Sequence, residues 1–215
     1  MGRIFLIPGL GADCRIYKNI DLEGYDVVNV DWIDPDNDDT LTSYARKLIE
    51  KYQIGTGSIV IGNSLGGMLA IEIAKKIELN KVILISSIKS IDEAPWYFDF
   101  FKTVQVHRII PVKRLTLVEF IAEYTFGGMS EDDQRLFADM LKNTSPAFMK
   151  WAIDAILHWD NQTIPQNVYH ISGDKDKVFP YKNLKGATIV KGGTHVMIFN
   201  KANEINKWLK NILPL

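Results

Sequence analysis

The chain has 215 residues, 47% of them hydrophobic and 24% charged, with a formal net charge of −1. That size suits one domain able to bury a proper core, and the charge balance gives no bulk attraction to nucleic acid or an anionic membrane. A single cysteine, Cys14, excludes an internal disulfide framework and a cysteine-rich zinc site and fits a reducing compartment.

The start of the chain, Met1-Gly2-Arg3 and then Ile4-Phe5-Leu6-Ile7, lacks the pattern of a signal peptide. Leu6 stands where myristoylation needs Ser or Thr, and no apolar stretch approaches the roughly 20 residues of a membrane span. A cytoplasmic monomer is the expectation. Arg3–Ile7 predicts the first strand, followed by the turn Pro8-Gly9-Leu10-Gly11, whose backbone can face a ligand. Tyr25–Val30 predicts the second, and Asp34 to Asp39 an acidic solvated loop. Leu41 to Tyr52 then carries apolar residues on one helical face, with Asp39 or Thr40 as its cap.

Ser58–Ile61 predicts the third strand and runs into Gly62-Asn63-Ser64-Leu65-Gly66, a G-x-S-x-G pattern. A serine on a tight strand-to-helix turn sits in strained backbone, and small residues two before and two after it let strand and helix approach. The following helix, Leu65 to Ile77, presents the Leu65 amide at its N-terminus, where it can donate to a developing oxyanion. Lys81–Ser86 predicts a fourth strand. Residues 88–165 then break the strand–helix alternation and read as several helices rich in aromatics, among them Trp96, Phe98, Phe100, Phe101, Phe126, Trp151 and Trp159. These are expected mostly to form the insertion's own small core, with a minority lining a pocket.

Asn167–Ser172 and Ala187–Val190 predict the last two strands, and residues 201–212 a final helix stopped by Pro214. The apolar runs suit parallel strands buried on both faces, so the chain reads as an α/β fold with a mostly parallel sheet. A serine nucleophile needs a general base oriented by a third group. Of the four histidines, His195 lies in a glycine-bearing loop just past the last strand, where sites form in open α/β sheets. His170 lies inside a strand and reads as a buried, satisfied imidazole; His107 and His158 fall in the insertion. The loop Gly173-Asp174-Lys175-Asp176 offers two aspartates for the acid role, and the residues alone leave the choice open. Cys14 has no elbow to activate it, and Arg15 reads as part of a structural ion pair. No histidine and acid cluster has metal-ligand spacing, and no phosphate-binding glycine loop implies a nucleotide, so neither metal nor cofactor is expected.

With these motifs in hand, the chain resembles the α/β-hydrolase superfamily from first strand to last helix. The resemblance implies a sheet of about six strands with helices on both sides and a helical lid over residues 88–165. Ser64 matches the nucleophile and Gly193-Thr194-His195 the family's Gly-x-His. Gly173-x-x-Asp176-x-x-x-Pro180 matches the acid loop, which selects Asp176 over Asp174. Leu10 and Leu65 match the backbone donors of the oxyanion hole. Proline replaces the usual histidine before Gly9, and the sheet begins at the family's third strand. The implied activity is a cofactor-independent serine hydrolase cleaving a small ester, thioester or lactone with an apolar part. Carbon–carbon hydrolysis, cyanohydrin cleavage and slow-turnover ligand sensing on the same scaffold are the alternatives.

Overall fold

The computed structural model describes residues 2–104 and 128–213, the side chain of Val104 excepted. Six strands form one sheet in the order β2-β1-β3-β4-β5-β6: β1 (Ile4–Ile7), β2 (Val27–Asn29), β3 (Ile59–Asn63), β4 (Lys81–Ile85), β5 (Val168–Gly173) and β6 (Thr188–Val190). Every pairing is parallel. The expectation of strands buried on both faces describes β1 and β3, which are buried throughout, and nearly all of β4. It does not describe β2 and β6, which are largely exposed because they form the two sheet edges.

Alternation along the strands divides the core in two. Phe5, Ile7, Val60, Val82 and Leu84 face α1 (Leu41–Tyr52) and α2 (Leu65–Ala74). Ile4, Leu6, Ile59, Ile61, Ile83 and Ile85 face the opposite layer, which includes the C-terminal helix. Helix α1 begins as the sequence predicts. Thr40 caps it through a capping box with Ser43, while Asp39 accepts a hydrogen bond from the Ser43 hydroxyl at 2.7 Å. Helix α2 is buried all round from Leu65 to Ile73, since it lies between the sheet, α1 and the chain near Trp159.

Between β4 and β5 the described residues form α3 (Tyr97–Val104), α4 (Glu131–Asn143) and α5 (Pro146–Leu157), with no strand among them. His107, Phe126 and the middle of the expected lid lie outside the described residues. Ser130 and Ser145 cap α4 and α5, and Pro146 takes the first-turn position where a missing amide costs nothing. Among the described residues, the insertion's buried aromatics join the main core rather than a separate one. Phe98, Phe148 and Trp159 are buried in the same cluster as the sheet residues, where packing against the main body removes their apolar surface from water. After β6, α6 (Met197–Asn200) and α7 (Ala202–Ile212) close the chain, with Ile205, Leu209 and Ile212 of α7 turned to the core.

Candidate active site

The site forms at the carboxyl ends of β1, β3, β5 and β6. Ser64 follows β3 directly and has φ 51° and ψ −117°, a region that side chains disfavour. Backbone packing holds it there. A Cβ on Gly62 would stand 2.2 Å from the Gly66 carbonyl oxygen, and one on Gly66 would stand 2.1 Å from that of Ile7. Only glycine at both places lets α2 start against β3 and β1. The Ser64 amide donates to the Ile85 carbonyl at 3.0 Å, and the Asn63 side-chain amide donates to the same oxygen at 3.1 Å.

The turn after β1 lies beside Ser64. A Cβ on Gly9 would be 3.3 Å from the Ser64 Cβ, so Leu10 follows at the edge of the site. As the first residue of α2, Leu65 carries an amide for which the helix supplies no acceptor. Two contacts that sequence reasoning missed brace this corner. The Tyr17 hydroxyl donates to the Ile7 carbonyl at 2.7 Å, and the Trp32 indole donates to the Ala12 carbonyl at 2.8 Å. Neither has a local sequence signal, since each joins separate elements.

His195 stands between serine and acid. Its Nε2 is 2.9 Å from the Ser64 Oγ, and its Nδ1 is 2.9 Å from the Asp176 Oδ2. The other Asp176 oxygen accepts the amides of Val178 at 2.9 Å and Phe179 at 2.8 Å. The Asp176 side chain is completely buried and that of His195 is 12% exposed. The carboxylate thus has its outer oxygen fixed by two amides and its inner one directed at the ring. This arrangement favours the neutral tautomer with hydrogen on Nδ1, leaving Nε2 free to take a proton from Ser64. The Phe179 ring meets His195 edge-on at 5.5 Å between centroids, which shields the pair from water.

Asp174 has a different task. It accepts the Gly192 amide at 2.6 Å, while the Lys175 amide donates to the Gly193 carbonyl at 2.8 Å. A Cβ on Gly173 would be 2.0 Å from that carbonyl oxygen. Acid loop and histidine loop are therefore laced together backbone to backbone. The two aspartates of this loop differ in their contacts, Asp174 to the Gly192 amide and Asp176 to the His195 ring.

The insertion flanks the site on two sides. Toward the turn after β1, Arg15 pairs with Asp13 at 2.7 Å and with Asp139 of α4 at 2.8 Å, as expected of a structural ion pair. Lys18 pairs with Asp133 at 2.6 Å. Toward the acid loop, the Tyr97 hydroxyl donates to the Val178 carbonyl and Phe98 packs on Phe179. Trp96, 80% exposed, and Phe100, 54% exposed, turn outward.

The remaining candidates lie away from this geometry. Burial pushes the Cys14 thiol up to about 12, so it is a poor thiolate source. His158 is exposed on the end of α5. His170 is buried as expected but not satisfied, since neither ring nitrogen has a hydrogen-bond partner among the described residues. Burial and then the Lys89 charge push it down to about 3; the nearby Ser87 backbone pulls weakly the other way, outside hydrogen-bonding geometry. Among the described residues no cluster of three or more His, Cys, Asp or Glu could hold a metal, and no helix is long and apolar enough to cross a membrane.

A parallel sheet with a strained serine after β3, an acid after β5 and a histidine after β6 defines the α/β-hydrolase arrangement. The chain belongs to the Alpha/beta hydrolase family, whose pattern it matches over residues 4–207. Its fold is similar to an esterase from Exiguobacterium antarcticum, at 17% identity and TM-score 0.75, covering 98% of this chain and 91% of that one. It is similar also to a hydrolase from Pseudomonas aeruginosa, at 16% identity and TM-score 0.77, covering 100% and 90%. A third similar structure, a bromoperoxidase from Bacillus anthracis, has 19% identity and TM-score 0.70, covering 98% and 91%. At these identities the likeness is one of fold. No curated protein is significantly similar to the chain in sequence.

Proposed function

We propose that this α/β hydrolase is a serine hydrolase that cleaves a small carboxylic ester, thioester or lactone through an acyl-enzyme. The observation that carries the reading is the continuous relay from Ser64 through His195 to Asp176, with both links at 2.9 Å. His195 takes the Ser64 proton as Oγ attacks the carbonyl carbon. The Leu10 and Leu65 amides hold the tetrahedral oxyanion, each contributing on the order of 3 kcal/mol to the transition state. The imidazolium, stabilised by Asp176, then protonates the leaving group, and water activated by His195 frees the acid.

Residues 88–165 act as the lid. The described parts support this by contacting both sides of the site, through Asp139 near the turn after β1 and Phe98 near the acid loop. Their aromatic content favours a substrate with an apolar part. The single cysteine, a half-buried free thiol, suits a reducing cytoplasm.

The test is hydrolysis of a panel of short- to medium-chain p-nitrophenyl esters by wild type and Ser64→Ala side by side. Turnover that disappears in the variant supports the reading. Turnover that survives at the wild-type rate overturns it.

A further inference from the structure

One residue of the glycine-rich turn has no task in the scheme above. Gly67 lies outside G-x-S-x-G, yet a Cβ there would stand 2.4 Å from the Ser87 Oγ and 2.5 Å from its Cβ. Ser87 is fully buried, and its hydroxyl donates to the carbonyl oxygen of Ser64 at 2.7 Å. The turn that delivers it is itself strained. Ser86, immediately after β4, has φ 49°, while its amide is held by the Ile171 carbonyl at 3.0 Å. Strain at one strand end thus directs a hydroxyl onto the strained peptide at the next.

The carbonyl that Ser87 binds matters because of what lies across the same peptide. Ser64 C=O and Leu65 N–H are the two ends of one planar unit. The helix already places two donors on that oxygen, the Gly67 amide at 2.9 Å and the Met68 amide at 3.3 Å. Ser87 adds a third from outside the helix and ties the plane to the sheet. A hydrogen bond to the oxygen also draws electron density from the nitrogen, which makes the N–H a stronger donor.

We propose that Ser87 is a positioning residue for the oxyanion hole, acting through the Ser64–Leu65 peptide to aim and polarise the Leu65 amide. Gly67 is glycine so that Ser87 can reach. The proposal rests on the serine hydrolase reading and extends it to a residue that contacts the relay through the Ser64 backbone carbonyl alone, away from the Ser64 hydroxyl and His195. Removing the hydroxyl weakens the hold on a charged tetrahedral oxygen more than the hold on a neutral substrate.

The experiment compares wild type, Ser87→Ala and Ser87→Cys, whose thiol is a weaker donor, with Ser64→Ala as the control. Three quantities are read: the rate at which a fluorophosphonate labels Ser64, kcat and KM on the best ester of the panel, and inhibition by an aryl boronic acid. In Ser87→Ala, labelling and kcat fall about tenfold, boronate affinity falls by a similar factor, and KM stays within about twofold. Ser87→Cys lies between, and the acid limb of the pH profile does not move, because His195 is untouched.

Labelling, kcat and boronate affinity all within about twofold of wild type in folded Ser87→Ala, with only Tm lowered, overturn the proposal and leave Ser87 a packing residue. Should Ser87→Ala not fold, Ser87→Cys decides on the same three readouts. Failure of the hydrolase reading shows elsewhere, as labelling and turnover that persist in Ser64→Ala.

Discussion

Two buried carboxylates, Asp176 and Glu72, show how one chemical device serves two ends. Glu72 lies in α2, fully buried, and every contact it makes is a clamp. It accepts the Thr42 hydroxyl at 2.7 Å from α1, the Lys75 ammonium at 2.8 Å and the Trp159 indole at 2.9 Å. Lys75 reaches on to Asn161 at 2.8 Å. Burial pushes the Glu72 carboxyl up, but Lys75, Thr42 and Trp159 together hold it below its ordinary range. Its charge is neutralised locally and its lone pairs are occupied. Among the described residues Asp176 pairs with no such fixed cation; its non-backbone hydrogen-bond partner is the His195 ring. A carboxylate saturated by fixed donors builds the fold, and one left facing a titratable ring can assist a reaction.

If that contrast holds, substitutions should separate activity from stability. The largest expected effect is at the relay. Ser64→Ala lowers ester turnover by about 10⁴-fold or more, and Asp176→Asn by about 10³- to 10⁴-fold, each with little change in Tm. Turnover of either variant within tenfold of wild type would break the comparison on the catalytic side. Activity should also fall on acidification, because an imidazolium cannot accept the Ser64 proton. A profile flat from about pH 5 to 8 contradicts that role.

At Glu72 the pattern inverts. Glu72→Ala leaves the Trp159 indole without its acceptor and the Lys75 ammonium without its counter-charge, and costs about 3 kcal/mol of stability, while kcat per folded molecule stays within about twofold. Urea denaturation alongside active-site titration separates the two. A folded Glu72→Ala whose turnover collapses would show that the clamp also serves the site.

His170 gives a smaller, pH-dependent effect. Its folded value near 3 lies below the ordinary 6.5, so it is neutral in the fold and the unfolded chain takes up the proton first. The stability it allows is complete above about pH 6.5 and is lost as pH falls toward 3. Between pH 6.5 and 5 the loss is about 2 kcal/mol. His170→Leu should flatten that slope in denaturation measured at both pH values, and an unchanged slope would assign it to other groups. The smallest effect belongs to Arg15→Ala at the surface pairs with Asp13 and Asp139, where Tm measured by thermal denaturation should barely move.

Much of this was written locally. The helix Leu41–Tyr52 was legible to the residue, because its apolar face and its Thr40 cap are short-range signals. The glycines around Ser64 were legible for the same reason, since close approach of strand and helix leaves room for nothing larger. Helix α2 extends to Ala74 rather than Ile77, a fraying that apolar spacing does not mark. Asp176 was distinguished from Asp174 by family spacing and not by its own chemistry, for both are acids in one turn. What separates them is a distance to His195 against a distance to Gly192.

Sequence by itself determined the order of elements, the strained elbow and the residue types available at the sheet's carboxyl edge. These follow from backbone sterics and periodic burial, which act over a few neighbours. Tertiary structure alone decided that Asp174 holds the Gly192 amide, where the insertion's described aromatics pack, and that Ser87 reaches the Ser64 carbonyl. Each of those joins groups far apart in the chain, and hydrogen bonds are settled by distances of a few tenths of an ångström that only the packed fold sets.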